Sequence, residues 1–187
     1  MALPDSHVVQ VGTAIVLGNS ATHSPAAAND LGGDTDQIDL TSVADTAARE
    51  SAKIDFGASR ARIIYVYAAF EFAATPVAGE VVELYFAPSI SATASAANPG
   101  GVSGSDGAYT GTSGSTLAES VLQLQKIGEF ICTDDATGTV QISYVGSFIP
   151  PTRYGTIVVK NESGAAFHSD VVETSILLTP NNDVTID

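Results

Sequence analysis

The sequence predicts an all-β fold: an antiparallel two-sheet sandwich, jelly-roll-like, with an extended N-terminal arm. Three observations predict it. Apolar and polar residues alternate with a period of two over run after run, as on strands whose two faces meet different surroundings. Stretches bearing Gly, Pro, Asn and Asp separate those runs at hairpin spacing. No segment carries a clear helical period, and only 43–53 is ambiguous, because Ala48, Glu50 and Ala52 stand there.

From Met1 to Asp45 there is no Lys or Arg. Val8 to Leu17 is apolar enough for a strand, weakened by Gly12, and Gly18 to Gly33 is small and polar around Pro25. Residues 1–45 read as an extended arm whose strands pair outside the main sheet, or as ordinary strands of the main domain. The β-sandwich domain takes up 46–187. Ile54 and Phe56 alternate with Lys53 and Asp55. The strongest strand runs from Arg60 to Phe72, with Ile64, Val66, Ala68, Phe70 and Phe72 on one face and Ile63, Tyr65, Tyr67 and Glu71 on the other. Two apolar faces predict a central strand covered on both sides. After a Pro76–Gly79 turn, Val82, Leu84 and Phe86 point inward and Val81, Glu83 and Tyr85 outward.

Ser89 to Ser120 holds little that could build a core, and a loop of this length is usually functional or pinned by a neighbour. Tyr109 is its expected anchor. A strand signal from Val121 to Cys132, interrupted by Gly128, meets another at Val140–Phe148 across the turn Asp134–Gly138, which is a hairpin pattern. Arg153 to Asn161 and the alternating Val172, Thr174, Ile176 and Leu178 complete about seven or eight strands.

Composition narrows function. The chain has 187 residues, 44% apolar and only 15% charged, with Lys+Arg 7 against Asp+Glu 21 and a formal net charge of −14. Apolar content suffices for a core. The charge opposes binding to nucleic acid and to anionic membrane surfaces, both of which need clustered cations. The lone Cys132 forms no internal disulfide, so folding does not rely on an oxidising compartment. Met1–Asp5 lacks the opening of a signal peptide, and no apolar run approaches a bilayer span, so synthesis and folding in a cytoplasm are expected.

The catalytic inventory is thin. His7, His23 and His168 are far apart, and Gly101–Gly104 resembles a nucleophile elbow only superficially. No Walker loop or dinucleotide pattern occurs. No catalytic residue, cofactor or metal ligand is assigned. Asp30, Asp34, Asp36 and Asp39 are oxygen donors that could suit Ca2+, but they depart from the EF-hand order and read as a solvated acidic loop. Arg49, Lys53, Arg60 and Arg62 cluster, either as a docking stripe for an acidic partner or as local pairs with Glu50 and Asp55. Tyr65, Tyr67 and Tyr85 could stack on sugar rings, or belong to core or interface. Asn161-Glu162-Ser163 has the form of a glycosylation acceptor.

Leu84–Ser89, the loop Asn98–Tyr109, Pro150–Gly155 and Val158–Gly164 together give the chain a style that resembles small virion proteins of tailed bacteriophages. The similar proteins are structural, and β-sandwich decoration, or cement, proteins of phage heads are the nearest analogue. The resemblance implies a non-enzymatic capsid protein, assembled into the virion in the host cytoplasm, that binds the major capsid protein, copies of itself, or both. Expected partner contacts are Val8, Val9, Val11 and Ile15 of the arm, the basic Arg49, Arg60 and Arg62, and Tyr109 of the loop. A tail, neck or fibre component is the alternative, as is a host-adhesion module that binds a surface glycan.

Overall fold

A computed structural model describes residues 6–24, 31–57 and 63–186, with side chains described within 12–24, 31–57 and 63–181. The strands in chain order are β1 (Ser6–Val11), β2 (Ile15–Gly18), β3 (Asp36–Gln37), β4 (Ala48–Glu50), β5 (Ile54–Asp55), β6 (Ile63–Phe70), β7 (Val81–Ser89) and β8 (Gly107–Ala108). One short helix, α1 (Leu117–Val121), precedes β9 (Gln125–Ile131), β10 (Gln141–Phe148), β11 (Tyr154–Glu162) and β12 (Ser175–Ile186). Gly12 lies between β1 and β2, so the apolar run 8–17 becomes two strands.

All the strands join one curled mixed sheet, a half-barrel, in the order β3-β2-β12-β6-β10-β9-β7-β11-β4-β8. β1 pairs with β12 and β5 with β11. Every pairing is antiparallel except β2 with β3. Where the sequence led us to expect two sheets, the described strands form a single hydrogen-bonded path.

The curl has a local cause. β9 and β10 leave the Asp134–Gly138 turn splayed, β10 towards β6 and β9 towards β7, and their single registered pair is Gly146 with Gly128. A Cβ on Gly128 would stand 2.1 Å from the Val145 carbonyl oxygen, and one on Gly146 would stand 2.5 Å from that of Ile127. Glycine at both positions lets the backbones approach this closely. Register shifts on either side, at Tyr144/Gly146 and Leu84/Tyr85, add the bend that bulges give. Gln141 fills the mouth of the splay, its amide bonding the backbone N–H and C=O of Thr133.

The main core fills the inside of the curl. Ile64, Val66, Ala68 and Phe70 of β6 meet Val82, Leu84 and Phe86 of β7, Phe130, Phe148, Ile157, Val159, Ile176 and Leu178. Phe70 lies 4.9 Å from Phe130 and 5.0 Å from Phe167, ring centre to ring centre, and Phe86 lies 4.7 Å from Phe148. Leu17, Ile38, Leu40 and Val43 are buried in this same cluster. Residues 15–18 and 31–45 therefore run through the body of the fold, because their alternating apolar side chains complete its interior.

A smaller core lies on the opposite face of β4, β7 and β11. Ala48, Tyr85, Ala87 and Val158 are covered there by Val102, Tyr109, Val121 and Leu124, with Leu117 packed alongside. The long 89–120 segment is thus a covering layer. This explains why β7 and β11 are buried on both faces. β6, expected to be covered twice, is covered once: Tyr67 on its outer face is 39% exposed.

Candidate functional site

The covering loop is held by groups placed beneath it. The Lys53 ammonium donates to Ser89 Oγ at 2.9 Å and to the carbonyls of Ser91, Thr93 and Ala96 at 3.2, 2.8 and 2.9 Å. Burial lowers its pKa. The buried Glu50 carboxylate accepts from the Ser103 N–H at 2.9 Å and the Gly104 N–H at 3.4 Å. Burial still pushes its pKa up against those bonds. Asp106 accepts from Arg49 Nε at 3.2 Å, the Asp39 N–H at 3.0 Å and the Gln37 amide at 3.3 Å, tying the loop to the β3–β4 connection. Tyr109, 2% exposed, donates from its hydroxyl to the Gly100 carbonyl at 2.6 Å. It anchors the loop from inside the second core. A capping box, Thr116 with Glu119, starts α1.

Each described Lys and Arg is engaged within the chain. Arg49 also reaches Asp39 at 3.6 Å, so this member of the basic cluster makes local pairs. Arg60 and Arg62 lie outside the described residues. Lys126 bridges Glu83 at 2.7 Å and Glu129 at 2.6 Å, and Lys160 contacts Glu83 at 3.1 Å and Glu162. Burial disfavours the Lys126 cation, but the Glu129 and Glu83 carboxylates outweigh that and raise its pKa. Arg153 pairs with Asp55 at 2.7 Å.

The outer face of β6, β10 and β12 is different, since the loop does not cover it. Tyr67 and Tyr144 face each other in register, rings 5.4 Å apart, and Tyr65 lies 6.4 Å from Tyr144. Ser147 and Thr179 pair with Tyr65, and Leu177 with Tyr67. Tyr85 is not part of this surface. It is buried on the far side of the fold, under Lys126, and its phenol is pushed up to about 12 by burial and then by Glu83. Tyr144 takes the place that the sequence reading gave to Tyr85. That reading missed Tyr144 because only the β6–β10 register brings it beside Tyr67.

Of the arm contacts, Val8, Val9 and Val11 lie on β1, where the backbone but not the side chains is described. Ile15 is half-buried against the core and lines a cleft of about 380 Å³ with Gly12, Phe56, Ile64 and Pro180. Asp36, whose pKa burial raises, lies in its wall.

The acidic run divides among separate partners. Asp34 meets the buried His23 at 2.8 Å, Thr35 Oγ1 is 3.4 Å from Asp36, and Asp39 accepts from Asn19 and Thr41. Asp30 lies outside the described residues. Among the described residues no group of three or more His, Cys, Asp or Glu is placed to hold a metal ion. His168 lies 3.6 Å from Glu71. Burial, with Glu80 beside it, pushes the Cys132 thiol up to about 11, which keeps it unreactive. Asn161 is fully buried and its amide nitrogen donates to the Val43 and Ala165 carbonyls, so the acceptor motif there is closed to modification. A scan against protein-family models and a search of curated proteins both return no match to this chain.

Proposed function

We propose that this chain is a non-enzymatic structural protein of a tailed-phage virion that decorates the outside of the head and cements the shell. In this reading the curled sheet serves as a jelly-roll-like, two-layered antiparallel body lying over shell subunits. One observation supports it above the others: the long 89–120 segment is fastened from beneath by Lys53, Glu50 and Arg49 and from within by Tyr109. A loop so tied is rigid relief. It suits shape-complementary docking against another macromolecule better than opening and closing over a substrate. The major capsid protein and further copies of the chain are the proposed partners, and assembly takes place in the host cytoplasm. Cryo-imaging of particles with copy counting by mass spectrometry tests this. Density on the shell, with a copy number that follows the shell subunit, is expected. Density confined to tail, neck or fibre, or absence from particles, sinks it.

The tyrosine face favours a second reading, a glycan-binding adhesion module. Tyr67 and Tyr144 are 39% and 48% exposed beside the hydroxyls of Ser147 and Thr179, and tyrosine rings can stack on sugar C–H faces while hydroxyls bond the sugar oxygens. Glycan-array binding that Tyr67→Ala or Tyr144→Ala abolishes, while Tyr85→Phe leaves it intact, would support this reading. An array with no bound glycan removes it.

A further inference from the structure

Among the described residues, Asn182–Ile186 of β12 pairs only with β1, so the two form a two-stranded ribbon beyond the ends of β2 and β6. Residues Ser6–Val11 pair with Asn181–Ile186, and among the described residues β1 pairs with no other strand. A two-stranded ribbon is marginal in water by itself. Proteins usually blunt an exposed strand edge with Lys, Pro, a bulge or a covering element. The sequence of β1, Ser-His-Val-Val-Gln-Val, has no Lys, no Pro and no acidic residue, and its register with β12 is unbroken. In a chain of net charge −14 it is a stretch where another copy can approach without carboxylate meeting carboxylate.

The ladder phase identifies which groups face outward. The Gly12 N–H donates to the Pro180 carbonyl at 2.8 Å, so Gly12 and Pro180 are a hydrogen-bonded pair in the antiparallel pattern. Alternation along the register then directs the backbone groups of Ser6, Val8 and Gln10 at β12. Those of His7, Val9 and Val11 point away from it. Three donors and three acceptors thus lie along the free edge at every second residue.

We propose that this edge is a strand-addition site for β1 of a second copy, related by a two-fold axis at Val9. In that arrangement Val9 faces its own counterpart and His7 faces Val11 of the other copy. About six backbone hydrogen bonds join the two ribbons into a four-stranded sheet. The contact is isologous, so it closes as a dimer. Strands this short bury less than the ~1,200 Å² of a standard interface, so the dimer is weak alone. The inference stands independently of the shell reading.

Sedimentation equilibrium of the purified chain, with amide hydrogen exchange at several concentrations, tests it. A reversible monomer–dimer equilibrium is expected. The amides of His7, Val9 and Val11 should slow as concentration rises, while those of Val8 and Gln10 are protected throughout by β12. Val9→Pro removes an outward donor and spares the β12 ladder. It should weaken the dimer at least tenfold with an unchanged Tm. A chain that stays monomeric to ~1 mM overturns the proposal. So does a dimer indifferent to Val9→Pro, or exchange at His7, Val9 and Val11 that ignores concentration. Should the variant fail to fold, the exchange measurement on the unaltered chain decides. All of this is read without shells present, so its failure is separate from failure of the decoration role.

Discussion

Lys53 shows how a single side chain can govern a segment far from it in sequence. Its stem crosses beneath Gly104 and its ammonium is the shared donor for four acceptors between Ser89 and Ala96. Lys53→Met keeps the stem and leaves those carbonyls without their charged donor. Bonds to charged groups are worth about 1.5–3 kcal/mol, so we expect a stability loss of that size in urea unfolding. The loss should be accompanied by faster amide exchange confined to 89–97. Lys53→Arg should not restore it, because a planar guanidinium cannot replace a compact three-donor ammonium. Unchanged exchange in the loop would mean that other bonds hold it. Tyr109→Phe deletes only the hydroxyl that reaches the Gly100 carbonyl. It should cost about 1 kcal/mol in the same measurement. The anchoring role of Tyr109 is legible in the sequence, but that of Lys53 is not. A lysine between Ala52 and Ile54 reads as an exposed strand cation, and its acceptors come from a loop whose path depends on the whole fold.

Among the elements, the glycine crossing of β9 and β10 is the decisive contact. Gly128→Ala would put a methyl group 2.1 Å from a backbone oxygen, which the strands can relieve only by separating. We expect about 3 kcal/mol of destabilisation by urea denaturation. Adding Gly146→Ala should cost much less than it does alone, since the crossing is already open and the two sites are coupled. Full additivity would show that the two glycines act separately. This bears on what the sequence reveals. Long strands such as β6, β7 and β11 are legible, because each sends every second residue into the main core. The crossing is not: Gly128 reads only as an interruption, and its partner Gly146 lies beyond a turn that signals an ordinary hairpin. The second core is also hidden: Leu117, Val121 and Leu124 do fall at helical spacing, but over a single short helix at the end of a segment that otherwise reads as loop, and Val102 and Tyr109 come from turns before it. Tyr65 and Tyr67 suggested two-sided burial because tyrosine counts as apolar in a pattern, although it tolerates water well.

For the molecule as a whole, the excess of carboxylates sets how stability responds to pH and salt. Two groups of acids pull in opposite directions. Burial raises the pKa of Glu50, Asp36 and Glu71, so the folded chain holds their protons more tightly than the unfolded one. Their contribution is complete below the unfolded values, near about 4, and is lost as pH rises through the folded ones. Asp39 and Glu83 behave in the reverse sense. Burial acts against them too, but Thr41, Arg49 and Asn19 around Asp39 outweigh it, as Lys126 and Lys160 do around Glu83, and both pKa values fall. Their contribution is present above about 4 and disappears as pH falls through the folded values. Added to the mutual repulsion within a net charge of −14 at pH 7, these terms place greatest stability on the acid side of neutrality. Scanning calorimetry should therefore find a Tm maximum between about pH 4 and pH 6, with a steep fall below it. At pH 7, raising NaCl to ~0.5 M should increase the Tm by screening that repulsion, and the gain should shrink at pH 5, where fewer carboxylates are charged. A Tm that climbs steadily to pH 8 and drops with added salt would mean that the Lys126–Glu83–Lys160 and Arg49–Asp106 pairs, not the unpaired negative charge, dominate the balance.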